Sequence, residues 1–110
     1  MKLRTSLLAL LALASTAFAE DKNLFNGKDL TGWKGLDFWS VEDGCITGRT
    51  TKEKPTKGNT FIVWQGGNVA DFTLTFRYRI VGGNSGVQYR SRLVDEKGFV
   101  IAGYQGDFEA

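Results

Sequence analysis

The sequence predicts an all-β protein built as an antiparallel β-sandwich or jelly roll. Short segments rich in β-branched and aromatic residues recur about every 8 to 15 residues, without helical periodicity between them. The chain contains 14 glycines and one proline, and glycine-containing turns separate most of these segments. Short strands at such spacing are typical of two packed antiparallel sheets.

The N-terminus predicts a secretory signal peptide. Lys2 and Arg4 precede an apolar run from Leu7 to Ala14, and Ala17-Phe18-Ala19 provides a small-x-small cleavage site. The apolar run is too short for a membrane span, which needs roughly 20 apolar residues. No cysteine lies near the cleavage site, so a lipid-modified N-terminus is not expected. We expect a secreted or periplasmic protein.

Cleavage at this site divides the sequence into two parts: the signal peptide over residues 1–19 and one β-sandwich segment over residues 20–110. Lys2 and Arg4 account for the difference between 14 basic and 12 acidic residues, so residues 20–110 have no formal net charge. We therefore expect no nucleic-acid partner, which would require a basic face. No membrane association is expected after signal cleavage.

The composition excludes several kinds of site from this segment. The chain has no histidine, which rules out a Ser-His-Asp triad and an H-E-x-x-H zinc site here. We also find no metal-ligand spacing and expect no cofactor. Cys45 is the only cysteine, so no internal disulfide can form, and its apolar neighbour Ile46 suggests a small core residue rather than a reactive thiol.

The first predicted hairpin joins Phe38–Val41 to Cys45–Gly48. The Asp-Gly pair between these segments favours a tight turn, because both residues tolerate a positive φ. Residues 50–59 read as a polar, lysine-containing surface loop, and Thr60–Trp64 as the next strand.

The clearest predicted strand is Phe72–Ile80, which alternates apolar and polar side chains over nine residues. Its apolar members are expected in the core: Phe72, Leu74, Phe76, Tyr78 and Ile80. Its polar members are expected on the opposite face: Thr73, Thr75, Arg77 and Arg79.

A turn at Gly82-Gly83-Asn84 leads into a predicted strand over Gly86–Ser91. Leu93–Gly98 reads as a polar connection, and Phe99–Phe108 as a final extended segment. Jelly-roll domains usually run well beyond 91 residues, so we expect the strands that close the two sheets to lie outside this segment.

The strand Gly86–Ser91 offers one candidate site. Its two-residue period places Gln88, Arg90 and Arg92 opposite Val87 and Tyr89. If it pairs antiparallel with Phe72–Ile80, these polar groups share a face: Arg77, Arg79, Gln88 and Arg90. Such donors suit sugar hydroxyls, carboxylates or a developing oxyanion, although arginines are also common on a solvated outer face.

The final segment offers a second candidate. Gln105, Asp107 and Glu109 point the same way on a strand, with neighbours roughly 6.6 Å apart because each residue advances the strand by half that distance. Two carboxylates at this spacing could share acid and base roles, as in glycoside chemistry. A solvated edge is the alternative, and the neighbouring glycines could mark either a ligand approach or a bulge.

Several stretches of the sequence, taken together, point to one known family. The most specific are the opening Leu24-Phe25-Asn26-Gly27-Lys28-Asp29-Leu30-Thr31-Gly32-Trp33 and the strand Asn84-Ser85-Gly86-Val87-Gln88-Tyr89-Arg90-Ser91. Further stretches occur in the expected order: Trp39–Gly44 with Ile46–Gly48, Phe72–Arg79, and Gly103-Tyr104-Gln105-Gly106-Asp107. From Leu24 to Glu109 the chain resembles the N-terminal portion of the 3-keto-disaccharide hydrolase domain family.

The resemblance implies a concanavalin A-like sandwich that hydrolyses 3-keto-disaccharides or other 3-keto-glycosides. It makes Asp107 the catalytic acid or base and Arg90 a catalytic donor. Asn84 and Gln88 would bind the ketone or hydroxyls of the sugar, and Gln105 would orient the sugar. Two alternatives stay open: a non-catalytic, lectin-like carbohydrate-binding module, and a structural or interaction domain.

We expect Glu20 to be the N-terminal residue of the exported protein, because cleavage should follow Ala17-Phe18-Ala19. Intact-mass measurement of the exported protein will check this. Retention of Met1 would contradict it.

Overall fold

The computed structural model describes residues 21–35 and 37–110, so the predicted signal peptide lies outside the described residues. Within them the chain is all-β and antiparallel, which confirms the predicted fold class. None of the described residues forms a helix long and apolar enough to cross a membrane. The six strands are β1 (Trp33–Gly35), β2 (Trp39–Glu42), β3 (Cys45–Gly48), β4 (Ile62–Trp64), β5 (Asn84–Asp95) and β6 (Val100–Glu109).

The strands form three antiparallel pairs: β1 with β4, β2 with β3, and β5 with β6. β4 confirms the predicted strand at residues 60–64, and β1 was not predicted. Residues 50–59 are exposed and lie outside the strands, as predicted for a surface loop. β5 and β6 are the longest strands, at 12 and 10 residues, and they make up the largest pair.

The hairpin β2–β3 confirms the predicted Asp-Gly turn. Glu42 pairs with Cys45, which leaves Asp43 and Gly44 as a two-residue connection with φ angles of 50° and 71°. Positive φ at both central positions is the requirement of a type I′ turn, whose twist matches that of the flanking strands. Cys45 itself is exposed, so its predicted place in the core is wrong. It follows the turn directly, at the closed end of the hairpin.

The loop before β1 is held by its own side chains. The Asn26 Oδ1 atom accepts hydrogen bonds from the backbone N–H groups of Lys28 and Asp29, at 2.8 and 2.9 Å. Asp29 Oδ1 in turn accepts from Asn26 Nδ2 at 2.7 Å and from the Thr31 backbone N–H at 3.0 Å. The hydrogen bonds that Asp29 accepts hold its pKa below the ordinary value, and the bond from Asn26 contributes most. The Trp33 indole N–H closes the loop on the Leu24 carbonyl at 2.8 Å.

The predicted strand over Phe72–Ile80 is wrong. No residue from 72 to 80 belongs to a β-ladder, since β5 pairs with β6. The side chains expected in the core are 40 to 61% exposed from Phe72 to Tyr78, and Ile80 is half-buried. The aromatic rings nevertheless face β6. Tyr78 stacks on Phe108 with ring centroids 4.2 Å apart, and Phe76 lies 5.6 Å from the same ring.

Little of the apolar surface in the described residues is covered. Phe99, in the connection between β5 and β6, is 5% exposed and is the single buried hydrophobic side chain among them. Eleven large hydrophobic side chains are well exposed, including Val81 at 87% and Tyr104 at 66%. Alternation alone cannot bury a strand, because the apolar face must also meet a second packed layer.

We expect the segment of residues 20–110 to self-associate when it is isolated. Its exposed hydrophobic side chains and unpaired strand edges favour association. Sedimentation velocity over a range of concentrations will measure this. A monomer with a single cooperative unfolding transition would contradict the expectation.

Replacement of Gly44 by alanine should lower the free energy of unfolding by about 1–2 kcal/mol, since an L-residue resists the left-handed region. The effect is purely conformational, because the nearest atom to an added Cβ would be 4.0 Å away. Gly58→Ala is the matched control, with open space and no positive φ. Chemical denaturation of both variants will test this, and equal effects would refute it.

Candidate functional site

One face of the β5–β6 pair carries a row of polar side chains. The register pairs Asn84 with Glu109, Gly86 with Asp107 and Gln88 with Gln105. Directly paired residues of an antiparallel ladder share a face, and every second residue returns to it. The predicted binding and catalytic residues Asn84, Gln88, Gln105 and Asp107 therefore lie together, on one side of one hairpin. We call these residues, with Glu109, the polar row.

Side-chain hydrogen bonds connect the centre of the polar row. Gln88 Nε2 donates to Gln105 Oε1 at 3.0 Å, and Gln105 Nε2 donates to Asp107 Oδ1 at 2.7 Å. Gln105 thus accepts from one neighbour and donates to the other, which fixes the orientation of its amide. Its bond to Asp107 is charge-assisted and short, so it restrains one carboxylate oxygen of an exposed aspartate.

Arg90 lies outside this row. The ladder has an irregularity between the Tyr89–Tyr104 and Arg92–Ala102 pairs, where Arg90 and Ser91 stand opposite Gly103 alone. This is a β-bulge, and Arg90 adopts a φ of 46° within it. The predicted alternation of Gln88, Arg90 and Arg92 on one face is therefore wrong. The bulge shifts the register so that Arg92 shares the face of Tyr89 and Tyr104.

The bulge directs Arg90 towards Asp71 instead. Arg90 Nη2 lies 3.4 Å from Asp71 Oδ1, and the two side chains are 56 and 104% exposed. An exposed pair at this separation contributes little to stability. The expected grouping with Arg77 and Arg79 is wrong as well, because it required a ladder between β5 and residues 72–80 that the structure does not contain.

The opposite face of the β5–β6 pair is aromatic. Tyr89 and Tyr104 are paired in the register, and their rings stack with centroids 5.8 Å apart and an interplanar angle of 20°. Phe108, which holds Tyr78, lies on the same face by alternation. One hairpin thus separates a hydrogen-bonding face from an aromatic face.

Two members of this region were not predicted as site residues. Asp71 precedes the segment 72–80 and showed no pattern in the sequence that linked it to Arg90. Gly86 lies inside a predicted strand, where glycine often marks a close approach of another group, and this signal could have identified it. Over residues 21–35 and 37–110, no cluster of three or more acidic or cysteine side chains is placed to hold a metal ion.

Comparison with known proteins gives one result. The family profile described as a 3-keto-alpha-glucoside-1,2-lyase-like domain matches residues 20–110, which is more than four-fifths of the chain. No curated protein and no solved structure shows a significant match. The match covers both strands of the polar row and the opening loop, and it confirms the resemblance drawn from those stretches. The chain belongs to the 3-keto-alpha-glucoside-1,2-lyase-like domain family.

Proposed function

We propose that the protein is an exported enzyme that cleaves the glycosidic bond of 3-keto-disaccharides or other 3-keto-glycosides. The observation that carries this proposal is the hydrogen-bonded chain Gln88–Gln105–Asp107, which presents an oriented carboxylate beside amide groups. Family membership supports carbohydrate as the substrate class. The predicted signal peptide supports a secreted or periplasmic location.

The reaction begins at C2 of the oxidised sugar. A ketone at C3 acidifies the neighbouring C2–H, so a base removes that proton and leaves an enolate whose charge rests on the C3 oxygen. The enolate then re-forms the ketone while the C1–O bond breaks, and the leaving oxygen takes up a proton. This elimination gives a C1=C2 double bond, and addition of water across it completes net hydrolysis. The chemistry needs a base, donors to the enolate oxygen and an acid.

Asp107 is the proposed base or acid. Its Oδ1 atom is restrained by Gln105, so the second carboxylate oxygen is the one offered to substrate. Gln88 and Asn84 stand beside it on the same face and are proposed to bind the ketone or hydroxyls of the sugar. Gln105 has a second role here, since the amide that holds Asp107 also defines one wall against which the sugar is oriented.

Arg90 is the proposed donor to the enolate oxygen. Its contact with Asp71 is 3.4 Å long, whereas charge-assisted hydrogen bonds are typically about 2.7–2.9 Å. A substrate oxygen that develops negative charge can compete with such an exposed and weak partner. Arg90 would then contribute mainly in the transition state, when that charge appears.

A non-catalytic, lectin-like module is the alternative, and the aromatic face favours it. The stacked Tyr89 and Tyr104 rings are 42 and 66% exposed and carry hydroxyl groups at their tips. Aromatic rings with a polar end combine apolar contact with hydrogen bonding, which suits a ligand that has both kinds of surface. In this reading the protein binds sugar without turning it over.

Asp107→Asn should lower kcat on a 3-keto-glycoside by about 10²-fold, because a general acid–base group is lost. Arg90→Ala should cost roughly 3 kcal/mol in kcat/KM, similar to the loss of one oxyanion donor. Steady-state assays should use the full exported protein with 3-keto-glycosides and with their unoxidised parents. Thermal midpoints should barely change, since both side chains are exposed.

Glu96→Gln is the matched control, because it neutralises an exposed carboxylate in the connection of the same hairpin. It should retain wild-type kcat. Full turnover by a folded Asp107→Asn protein would remove Asp107 from the mechanism. Calorimetric sugar binding without any turnover by the wild type would instead establish the lectin-like alternative.

A further inference from the structure

We propose that Gly86 is a positioning residue for Asp107, a role that rests on the proposed function of the polar row. Gly86 is the direct ladder partner of Asp107 and lies between Asn84 and Gln88 on the same face. Its lack of a side chain leaves the space over β5 into which the Gln105 amide folds.

The distances around Gly86 show what this space contains. A Cβ atom added there would lie 2.7 Å from Gln105 Nε2 and 2.9 Å from Gln105 Cγ. It would also lie 2.6 Å from the carbonyl oxygen of Gly106, which belongs to the backbone of β6. Non-bonded heavy atoms do not approach a Cβ atom this closely unless they are displaced. Any side chain at this position must therefore move Gln105, β6 or both.

Backbone conformation does not explain the glycine. Gly86 lacks the left-handed φ that is found at Gly82 and Gly83, so its own conformation is open to other residues. Glycine also weakens a strand interior, because it has no side chain to pack. The requirement at this position is therefore steric, and two groups fill the space: the Gly106 carbonyl of β6 and the side chain of Gln105, whose amide holds the proposed catalytic carboxylate.

Displacement of this amide would reach Asp107 directly. Gln105 Nε2 donates to Asp107 Oδ1 at 2.7 Å, and Gln105 Oε1 accepts from Gln88 at 3.0 Å. A shift of the amide by a few tenths of an ångström or more weakens both bonds and leaves Asp107 free to rotate. Catalytic groups that are misplaced by about 1 Å can lose up to 10²-fold in rate.

The test compares Gly86→Ala with Gly106→Ala in the full exported protein. Gly106 lies on the paired strand, and an alanine there would meet nothing within 4 Å. Gly86→Ala should lower kcat about 10- to 100-fold with KM nearly unchanged, since positioning of the reacting group is lost rather than binding. Gly106→Ala should keep kcat within about twofold at a similar thermal midpoint. Equal kcat values for the two variants would overturn the proposal.

Gln105→Ala provides a second variant that creates no clash. If Gly86 acts through Gln105, then Gln105→Ala should reproduce the loss in kcat, and adding Gly86→Ala to it should cost little more. Wild-type kcat in Gln105→Ala would overturn the proposal even if Gly86→Ala failed to fold. A full additional loss in the double variant would also overturn it, because the effect would then pass through the backbone of β6 alone.

A readout independent of turnover separates this proposal from the proposed function. The side-chain NH₂ resonances of Gln105 should shift towards those of a free amide in Gly86→Ala and should stay in place in Gly106→Ala. Absence of 3-keto-glycoside turnover by the wild type would count against the proposed function, and the resonances would still decide the role of Gly86. Unchanged resonances in Gly86→Ala would reject it.

Discussion

The antiparallel register between β5 and β6 is the constraint from which the polar row follows. Because Gln88 stands opposite Gln105, the two-residue period brings Gly86 opposite Asp107 and Asn84 opposite Glu109. A shift of this register by one residue would turn the side chains of one strand to the other face and separate them from those of its partner. The backbone ladder thus fixes which groups can meet, and the side-chain bonds of Gln105 then fix how they are oriented.

Features that depend on a few neighbouring residues were predictable from the sequence. Asp43 and Gly44 specify a tight turn by their own conformational tolerance, so the hairpin β2–β3 follows from two residues. Part of the polar row was predictable for a similar reason, because alternation within one segment assigns its side chains to faces before the pairing is known. Gln105, Asp107 and Glu109 were placed on one face in this way, whereas their meeting with Asn84 and Gln88 depends on the pairing of β5 with β6.

Features that depend on distant partners were not predictable. Residues 72–80 alternate apolar and polar side chains as regularly as a strand does. Alternation shows which side chains could be buried, but it does not show which strand they pair with, and β5 pairs with β6 instead. The exposure of Cys45 has the same origin, since burial depends on what packs over the hairpin end. The predicted face of Arg90 was wrong because the residues around it give no sign of the extra residue in the bulge. Gly103 on the other strand accommodates that residue.

The opening stretch that resembles the family has an architectural role in this structure. Asn26 and Asp29 bond to backbone groups and to one another, and Trp33 anchors the loop to Leu24. None of these contacts involves the polar row. Of the two stretches most specific to the family, the opening one therefore serves the architecture, whereas the strand that contains Asn84 and Gln88 carries part of the proposed site.

The bulge at Arg90 and Ser91 has a consequence for reading length variation in this chain. A relative that lacked one of these two residues would have an unbroken ladder at this point, with the remaining residue opposite Gly103. Arg92 would keep its place opposite Ala102, so a one-residue gap here leaves the two faces of the hairpin as they are. The same gap within Asn84–Tyr89, where every residue has a ladder partner, would instead turn the side chains on one side of it to the other face.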